Sequence, residues 1–344
     1  MQTPLASPSP IAPKVPASPL ARSIALMKPV TWFAPAWAFL CGTVASGGAG
    51  WHLADIGRIM LGVLLSGPIL CGLSQVINDY CDREVDAINE PQRLIPSGLV
   101  SARQVYLTSG VLAVLAIGIA LILGAQVTLL TAVGMVLALV YSVHPLRAKR
   151  NGWIGNGLVA VAYEGLPWLA GHLAFGSLTI PSLIIAGLYS VGAHGIMTIN
   201  DFKSVDGDRV SGVNTIPVML GSWGAAWVAV LYSVGAHGIM TINDFKSMDG
   251  DRLSGIKTIP VLHGAWGAAW LAVLTMDLSQ LFVMMMFAVW GRWVVAAVIF
   301  ALFVAQIPLQ RKLIQDPRGR AVFYNASGTT LFVWGMLAAA IGIR

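Results

Sequence analysis

Charged side chains are scarce in this chain. Asp, Glu, Lys and Arg together make up 10% of its 344 residues, whereas apolar residues make up 56%. A soluble domain carries about 25% charged residues. The composition therefore excludes an ordinary soluble protein and predicts a membrane protein.

Cysteines are few, and strand-like patterning is absent. The three cysteines, Cys41, Cys71 and Cys81, have neither the spacing of a metal site nor that of a disulfide framework. Apolar and polar residues do not alternate as they would in the strands of a membrane barrel. We therefore expect an all-α protein whose cysteines are small residues buried among helices.

Long apolar stretches are abundant. A helix needs roughly 20 apolar residues to span a bilayer. Several stretches approach that length, and two of them, 126–143 and 292–309, are short for a span. The predicted spans are 30–49, 57–77, 104–123, 126–143, 154–175, 182–200, 223–243, 266–290, 292–309 and 326–343.

The beginning of the chain differs from the rest. Prolines are spaced among serines and alanines there, which is typical of a segment that buries too little apolar surface to fold. The segment also lacks the compact apolar region and cleavage site of a secretory signal. We predict a disordered cytoplasmic tail over residues 1–26 and a membrane domain over 27–344.

Two short acidic clusters stand at the ends of apolar stretches. In the first, Asp79, Asp82 and Asp86 are spaced so that a helix would present them on one face. The second cluster repeats the frame with Asp201 and Asp208. Carboxylates this close repel one another unless a cation lies between them, and Mg²⁺ is often shared between carboxylates and phosphate oxygens. The clusters predict a magnesium–diphosphate site at a membrane surface.

Basic residues are concentrated in particular loops, as the positive-inside rule requires of cytoplasmic loops. Counting spans from a cytoplasmic tail puts segments 79–103, 144–153 and 201–217 on the cytoplasmic side. Both acidic clusters then share one membrane face with Arg147 and Lys149. This distribution favours an enzyme over a secondary transporter, whose charges would lie near the bilayer midplane.

A tandem repeat interrupts this arrangement. Residues 188–230 and 231–273 are nearly identical over 43 positions, of which eight differ. The repeat copies the second acidic cluster, with Asp244 and Asp251 as the duplicated aspartates. Two copies are too few for a solenoid, so the repeat is read as a duplicated helix–loop segment.

The repeat creates a topological conflict. If 223–243 spans the membrane, Asp244 falls on the opposite side from Asp201. The basic segment 310–320 would then also lie outside, against the positive-inside rule. Only one copy can lie opposite Asp79. We predict that it is the first copy, because no inserted segment precedes it.

The residues around the clusters resemble those of a known family. Asn78-Asp79-x-x-Asp82-x-x-x-Asp86 is similar to the first aspartate motif of the UbiA superfamily of intramembrane prenyltransferases. The flanking sequences resemble the (bacterio)chlorophyll synthase branch of that superfamily. These flanking sequences are 27–33, 86–91, 95–98, 149–153 and 200–204.

The resemblance implies a fold, a reaction and a cofactor. The fold would have about nine transmembrane helices around a central cavity. The reaction would esterify the propionate of (bacterio)chlorophyllide with a C20 prenyl diphosphate, geranylgeranyl or phytyl. The charge distribution of the loops predicts that the site faces the cytoplasm at the inner membrane. The cofactor would be Mg²⁺, and its predicted ligands are Asp79, Asp82, Asp86, Asp201 and Asp208, with Asp244 and Asp251 as their duplicates.

Other side chains are candidates for substrate binding. Basic groups such as Arg93 could contact the diphosphate, or they could be topology anchors. Glu164 lies inside a predicted span, where acids are usually functional, although it could instead make a helix-packing hydrogen bond. The predicted substrate-binding residues are Asn78, Arg93, Tyr141, Arg147, Lys149, Asn200, Lys203 and Glu164.

The predicted partners are a prenyl diphosphate, (bacterio)chlorophyllide and the lipid bilayer. The net charge of +6 needs no nucleic acid to explain it, since the positive-inside rule accounts for basic loops. Two alternatives stay open. The chain could prenylate another acceptor, such as a quinone precursor or haem, or it could be a secondary transporter.

Overall fold

The structure is a computed structural model, and most of the chain is described in it. The described residues are helical over most of their length, and the strand-like feature among them is an isolated parallel bridge between Asn151 and Asn214. The prediction of an all-α fold is confirmed. The described residues are 18–50, 52–201, 205–210, 212–221, 225, 245, 248 and 259–343.

The helices follow one another with short connections. Two π-helical segments, Leu65–Cys71 and Val161–Gly165, join α3 to α4 and α7 to α8. The α-helices are Pro19–Leu26 (α1), Phe33–Ala45 (α2), Leu53–Leu64 (α3), Gly72–Asn89 (α4), Ala102–Leu123 (α5), Ala125–Ser142 (α6), Gly152–Ala160 (α7), Leu166–Phe175 (α8), Ile180–Asn200 (α9), Val205–Val210 (α10), Ile259–Val289 (α11), Trp293–Gln315 (α12) and Pro317–Gly342 (α13).

Several of these helical stretches are long and apolar enough to cross a membrane. Six qualify within the described residues, and a seventh results if the segments Pro19–Thr31 and Phe33–Ala45, bent by 61°, form one span. The chain is therefore a multi-span membrane protein. The six are Leu53–Ala87, Ala102–Leu123, Ala125–Ser142, Gly152–Phe175, His263–Val289 and Trp293–Gln315.

The predicted number of nine spans stays a prediction. The predicted span 223–243 lies outside the described residues, apart from residue 225. Helix α13 is 26 residues long but carries polar residues such as Asn325 and Ser327, and it is not among the helices apolar enough to qualify. The apolar part of α9, Ile180–His194, is shorter than a full span.

The predicted tail is wrong for its last eight residues, which form helix α1. The Ser18 hydroxyl caps this helix by accepting a hydrogen bond from the backbone N–H of Ala21 at 3.2 Å. Arg22 Nη1 donates to the carbonyl oxygen of Leu99 at 2.9 Å, which docks α1 near the start of α5. Proline spacing concealed this helix, because proline is well tolerated in a first helical turn, where Pro19 stands.

Both π-helical segments are associated with a proline. Pro68 lies within Leu65–Cys71, and Pro167 follows shortly after Val161–Gly165. Proline has no N–H and so interrupts the regular helical hydrogen bonds, and a wider π turn is one way the chain accommodates the interruption. Both segments contribute side chains to the wall of the central cavity.

Close helix packing surrounds that cavity. A side chain at Gly42 on α2 would collide with the backbone carbonyl of Trp168 on α8. Small residues of this kind let membrane helices approach one another. Helices α11, α12 and α13 pack against one another as a second group. Helix α13 of this group contacts α2, one of the helices around the cavity.

Candidate active site

The first acidic cluster lies on a helix and not in a loop. Helix α4 continues to Asn89, whereas the sequence predicted that the span ends at 77. The side chains of Asp79, Asp82 and Asp86 are 10%, 20% and 12% exposed. The spacing therefore brings the three carboxylates to one partly buried helix face, as predicted.

Two cations pair with the ends of this cluster. Lys28 Nζ lies 2.7 Å from Asp79 Oδ1. Arg93 Nη1 lies 2.9 Å from Asp86 Oδ2 and 3.6 Å from Asp79 Oδ1, and its Nε pairs with Glu90. A single guanidinium thus bridges two of the aspartates, which keeps their carboxylates close together.

The central aspartate is held by the loop between α6 and α7. Lys149 Nζ lies 2.6 Å from both carboxylate oxygens of Asp82 and donates to Asn78 Oδ1 at 2.9 Å. Arg147 Nη2 donates to Asp82 Oδ1 at 2.9 Å. Burial lowers the pKa of Lys149, and the carboxylate of Asp82 opposes that change. The predicted basic residues therefore converge on the predicted acidic ones.

Backbone strain is concentrated at these cations. Among the described residues, Lys28 and Arg147 are the non-glycine residues with positive φ, at 48° and 36°. Such conformations are unfavourable for residues with a Cβ and cluster at functional sites. The fold therefore sustains strain where it presents these two cations to the aspartates.

Two neutral donors contact the second acidic cluster. Asn156 Nδ2 on α7 donates to Asp201 Oδ2 at 2.9 Å, and the Thr215 hydroxyl donates to Asp208 Oδ2 at 3.3 Å. Burial raises the pKa of Asp201 to about 7; the hydrogen bond from Asn156 lowers it, and the charge of Asp208 raises it. A bound cation would stabilise the ionised form of both carboxylates.

A short backbone pairing ties the second cluster to the basic loop. The N–H of Asn214 donates to the carbonyl of Arg150 at 2.8 Å, and the N–H of Gly152 donates to the carbonyl of Asn214 at 2.8 Å. A Cβ at Gly152 would lie 2.5 Å from the backbone nitrogen of Ile216. This position needs glycine, because the loop after α10 passes directly over it.

An apolar cavity of about 670 Å³ extends from Asn78, which directly precedes Asp79, into the helix bundle. Asn78, Tyr141 and Ser142 line its polar end, and Tyr141 is close enough to Asp82 and Asp201 to experience the charge of both. Glu164 and Tyr163 line a deeper part of the wall. The size is within the usual range of roughly 300–1,000 Å³ for small-molecule sites.

Some predicted site residues cannot be placed. Lys203 and the duplicated residues Asp244 and Asp251 lie outside the described residues. Asn200 is the last residue of α9, directly before Asp201, and its side chain is not described.

Two residues of the site were missed by sequence reasoning. Lys28 belongs to the segment 27–33, whose resemblance to a family was noted without a role for the lysine. Asn156 lies within an apolar span, and a polar residue in such a place is a functional signal. Both could have been found from these signals.

The described residues contain no group of three or more His, Cys, Asp or Glu side chains arranged to hold a metal ion. This finding is compatible with Mg²⁺, which is usually bound by one or two carboxylates together with water and substrate phosphates. The carboxylate oxygens of the α4 cluster and of Asp201 and Asp208 are the donors that Mg²⁺ prefers.

Comparison with known proteins identifies the family of the chain. Residues 32–237 and 222–336 match the UbiA prenyltransferase family. These matches cover most of the chain, which belongs to the UbiA prenyltransferase family and is a prenyltransferase. The two matches overlap at 222–237, inside the tandem repeat.

Similar proteins narrow the branch of the family. The bacteriochlorophyll synthase 34 kDa chain of Chloroflexus aurantiacus is 50% identical over 324 residues, which cover 94% of this chain and 90% of that protein. The bacteriochlorophyll synthase 33 kDa chain of Cereibacter sphaeroides is 40% identical over 93% of this chain and 91% of that protein. The chloroplastic chlorophyll synthase of Avena sativa is 34% identical over 92% of this chain and 74% of that protein.

Solved structures share the fold. A structure of digeranylgeranylglyceryl phosphate synthase aligns with a TM-score of 0.56 at 18% identity, covering 94% of this chain and 98% of that one. A UbiA homologue from Archaeoglobus fulgidus bound to GPP and Mg²⁺ aligns with a TM-score of 0.50 at 18% identity, covering 90% and 99%. At these identities the likeness shows the fold alone, and the predicted UbiA fold is confirmed.

Proposed function

We propose that this chain esterifies the propionate of (bacterio)chlorophyllide with a C20 prenyl diphosphate and releases diphosphate. The observation that carries this proposal is the 50% identity to a bacteriochlorophyll synthase over 94% of the chain. The site geometry supports it, because paired carboxylates and cations stand at the mouth of an apolar cavity.

The cations of the site stabilise the leaving group. The allylic carbon–oxygen bond breaks, and its electron pair leaves with the diphosphate. Lys28, Arg93, Arg147 and Lys149 lie around the α4 aspartates, where they hold the diphosphate oxygens and stabilise the developing negative charge. The aspartates of both clusters would hold Mg²⁺, which would supply further neutralisation of the charge on the leaving group.

The acceptor carboxylate needs no general base from the protein. A propionate is already ionised near pH 7, so its oxygen attacks the allylic carbon with no proton to remove. The new carbon–oxygen bond completes the ester. The apolar cavity excludes water from the reactive carbon, since water would otherwise compete as the nucleophile.

The site faces the cytoplasm in this proposal. The positive-inside rule places the loop carrying Arg147 and Lys149 on the cytoplasmic side. In a cysteine-free background, Ser97→Cys in the loop after α4 and Ser177→Cys in the loop after α8 are exposed probes for the two membrane faces. An impermeant maleimide added to intact cells should label Ser177→Cys alone. Labelling of Ser97→Cys would contradict the orientation.

An acceptor panel tests the reaction. Purified protein in detergent receives geranylgeranyl diphosphate, Mg²⁺ and either chlorophyllide, bacteriochlorophyllide, 4-hydroxybenzoate or haem. We expect a prenyl ester with one or both chlorophyllides, detected by chromatography and mass. Turnover of 4-hydroxybenzoate or haem in their place would assign a different acceptor, and the absence of any transfer would contradict the proposal.

A further inference from the structure

A carboxyl group lies deep in the cavity, away from the aspartates. Glu164 is near the middle of the 24-residue span Gly152–Phe175, in the π-helical segment Val161–Gly165. Its half-buried side chain lines the cavity. Among the described residues it makes no hydrogen bond and no ion pair. A ligand that fills the cavity would displace water from this carboxyl group, and a polar group removed from water costs free energy unless something pairs with it. The ligand is therefore expected to offer it a partner.

The residues beside Glu164 continue a polar strip toward the aspartates. The Tyr163 hydroxyl accepts a hydrogen bond from Gln75 Nε2 at 2.8 Å and lies 3.3 Å from Cys71 Sγ. Gln75 precedes Asn78 by about one turn of α4. Asn78 in turn accepts from Lys149. The strip therefore starts at the diphosphate end of the cavity and descends to Glu164.

The two substrates differ in what they could offer this strip. A prenyl tail is hydrocarbon and can pair with neither a carboxyl nor a hydroxyl group. A chlorophyllide macrocycle is mostly apolar but carries carbonyl oxygens on its edge and a magnesium ion at its centre. Burying Glu164 against the tail would leave the carboxyl group unpaired, whereas burying it against the macrocycle would not.

The spacing fits a propionate arm. The carboxylate must reach the diphosphate end, close to Asn78, while the ring to which it is attached lies deeper. An arm of three carbons spans roughly 4 Å, from bond lengths of about 1.5 Å. This is close to the rise of about 4.5 Å over the three residues that separate Asn78 from the Gln75–Tyr163 contact.

We propose that the macrocycle lies against the Tyr163–Glu164 wall and that the neutral Glu164 carboxyl group donates a hydrogen bond to a carbonyl oxygen on the ring edge. Glu164 is thus a specificity residue for the acceptor, and the assignment rests on the proposed function. A carbonyl oxygen is a better partner than the central metal, because an ionised carboxylate in mid-membrane is costly, whereas a neutral carboxyl group has an O–H to donate.

Direct binding separates the two substrates. Chlorophyllide binding to purified protein is followed by its own fluorescence without donor, and geranylgeranyl diphosphate binding is measured separately with Mg²⁺. Glu164→Leu should weaken chlorophyllide binding roughly tenfold or more and leave the affinity for the donor unchanged. Glu164→Gln, which keeps a donor of similar shape, should stay within about threefold of wild type.

A modified acceptor tests the same contact without changing the protein. A chlorophyllide whose ring ketone is replaced by a methylene group should bind wild type more weakly by a similar factor. The modified chlorophyllide should bind the Glu164→Leu variant as tightly as it binds wild type, because the two changes remove the same interaction.

Three results would overturn the assignment alone while the wild-type protein still binds and esterifies chlorophyllide. In the first, Glu164→Leu binds chlorophyllide as tightly as wild type. In the second, Glu164→Leu weakens binding of the prenyl diphosphate donor and not of chlorophyllide. In the third, Glu164→Gln loses as much chlorophyllide affinity as Glu164→Leu. The last would indicate an ionised ligand to the metal. A wild-type protein that binds no chlorophyllide would overturn the proposed function and this assignment with it.

Discussion

The two carboxylate clusters are held in different ways. On α4, lysine or arginine side chains pair with Asp79, Asp82 and Asp86. Asp201 and Asp208 instead accept hydrogen bonds from a neutral amide and a neutral hydroxyl. The α4 cluster therefore has compensating charge from the protein itself.

The pKa of Asp201 shows what the second arrangement means. Burial raises this pKa to about 7, and the hydrogen bond from Asn156 offsets only part of the rise. Its ionised form is thus less favourable than that of an ordinary aspartate near pH 7. A cation bound beside Asp201 would favour its ionised form, whereas the aspartates of the first cluster have lysine and arginine partners in the fold.

Removing one carboxylate from either cluster should have the largest effect. Asp79→Asn and Asp201→Asn should each lower the rate of esterification by at least about 100-fold, because each removes charge that holds the metal and diphosphate. Initial rates in membranes normalised for protein amount measure this. Asp316→Asn is the matched control, since Asp316 caps α13 and asparagine caps a helix equally well.

An intact rate in Asp201→Asn together with a large loss in Asp79→Asn would break the comparison. It would mean that the second cluster plays no part in catalysis and that the α4 aspartates act alone.

Removing a cation from the first cluster should have the next largest effect. Lys149→Gln should lower kcat by about 10- to 100-fold, because it removes a donor to the leaving group and weakens the hold on Asp82. Steady-state kinetics with both substrates measure the change. Lys312→Gln, which removes a cation at the end of α12, should stay within about twofold of wild type. Equal losses in both variants would indicate a general effect of charge on insertion.

Disturbing the backbone pairing should displace the second cluster. Gly152→Ala places a Cβ against the backbone of Ile216 and should lower the rate about tenfold or more, since small misplacements of catalytic groups are costly. Gly157→Ala on the same helix is the matched control, because its Cβ would meet only His194, at an ordinary 3.9 Å. Wild-type rates in Gly152→Ala would show that this pairing does not position Asp208.

The second copy of the repeat should matter least. Deleting residues 231–273 removes the first half of α11 but joins the nearly identical residues 216–230 to its second half, 274–289. The described contacts of Asp201 and Asp208 stay intact, so the shortened chain should be at least as active as the full chain. In the full chain, Asp244→Asn should have little effect, in contrast to Asp201→Asn. If Asp244→Asn were the inactive variant and Asp201→Asn the active one, the second copy would complete the site.

The sequence was sufficient for the parts of the site that depend on local spacing and chemistry. Helical periodicity placed the three α4 aspartates on one face, and charge distribution associated them with Arg147 and Lys149. Neither depends on the details of packing. The family resemblance supplied the overall fold, which composition alone would have left as a helical membrane protein.

Other features depend on contacts distant in sequence. The pairing of Asn214 with Arg150 and Gly152 is made by backbone groups, which leave no side-chain signal. The same is true of the π-helical segment that holds Glu164. Helix α1 was missed because the proline-rich composition predicted a disordered tail. The signals for a helix were a capping serine and an apolar face that packs on the bundle.

Metal dependence tests the central claim most directly, namely that two clusters hold one magnesium–diphosphate group. Purified protein with chlorophyllide and geranylgeranyl diphosphate is assayed in excess chelator and again after Mg²⁺ is added back. We expect no ester in chelator, recovery of the full rate with Mg²⁺ in wild type, and no recovery in Asp79→Asn or Asp201→Asn. Full turnover in excess chelator would contradict the account.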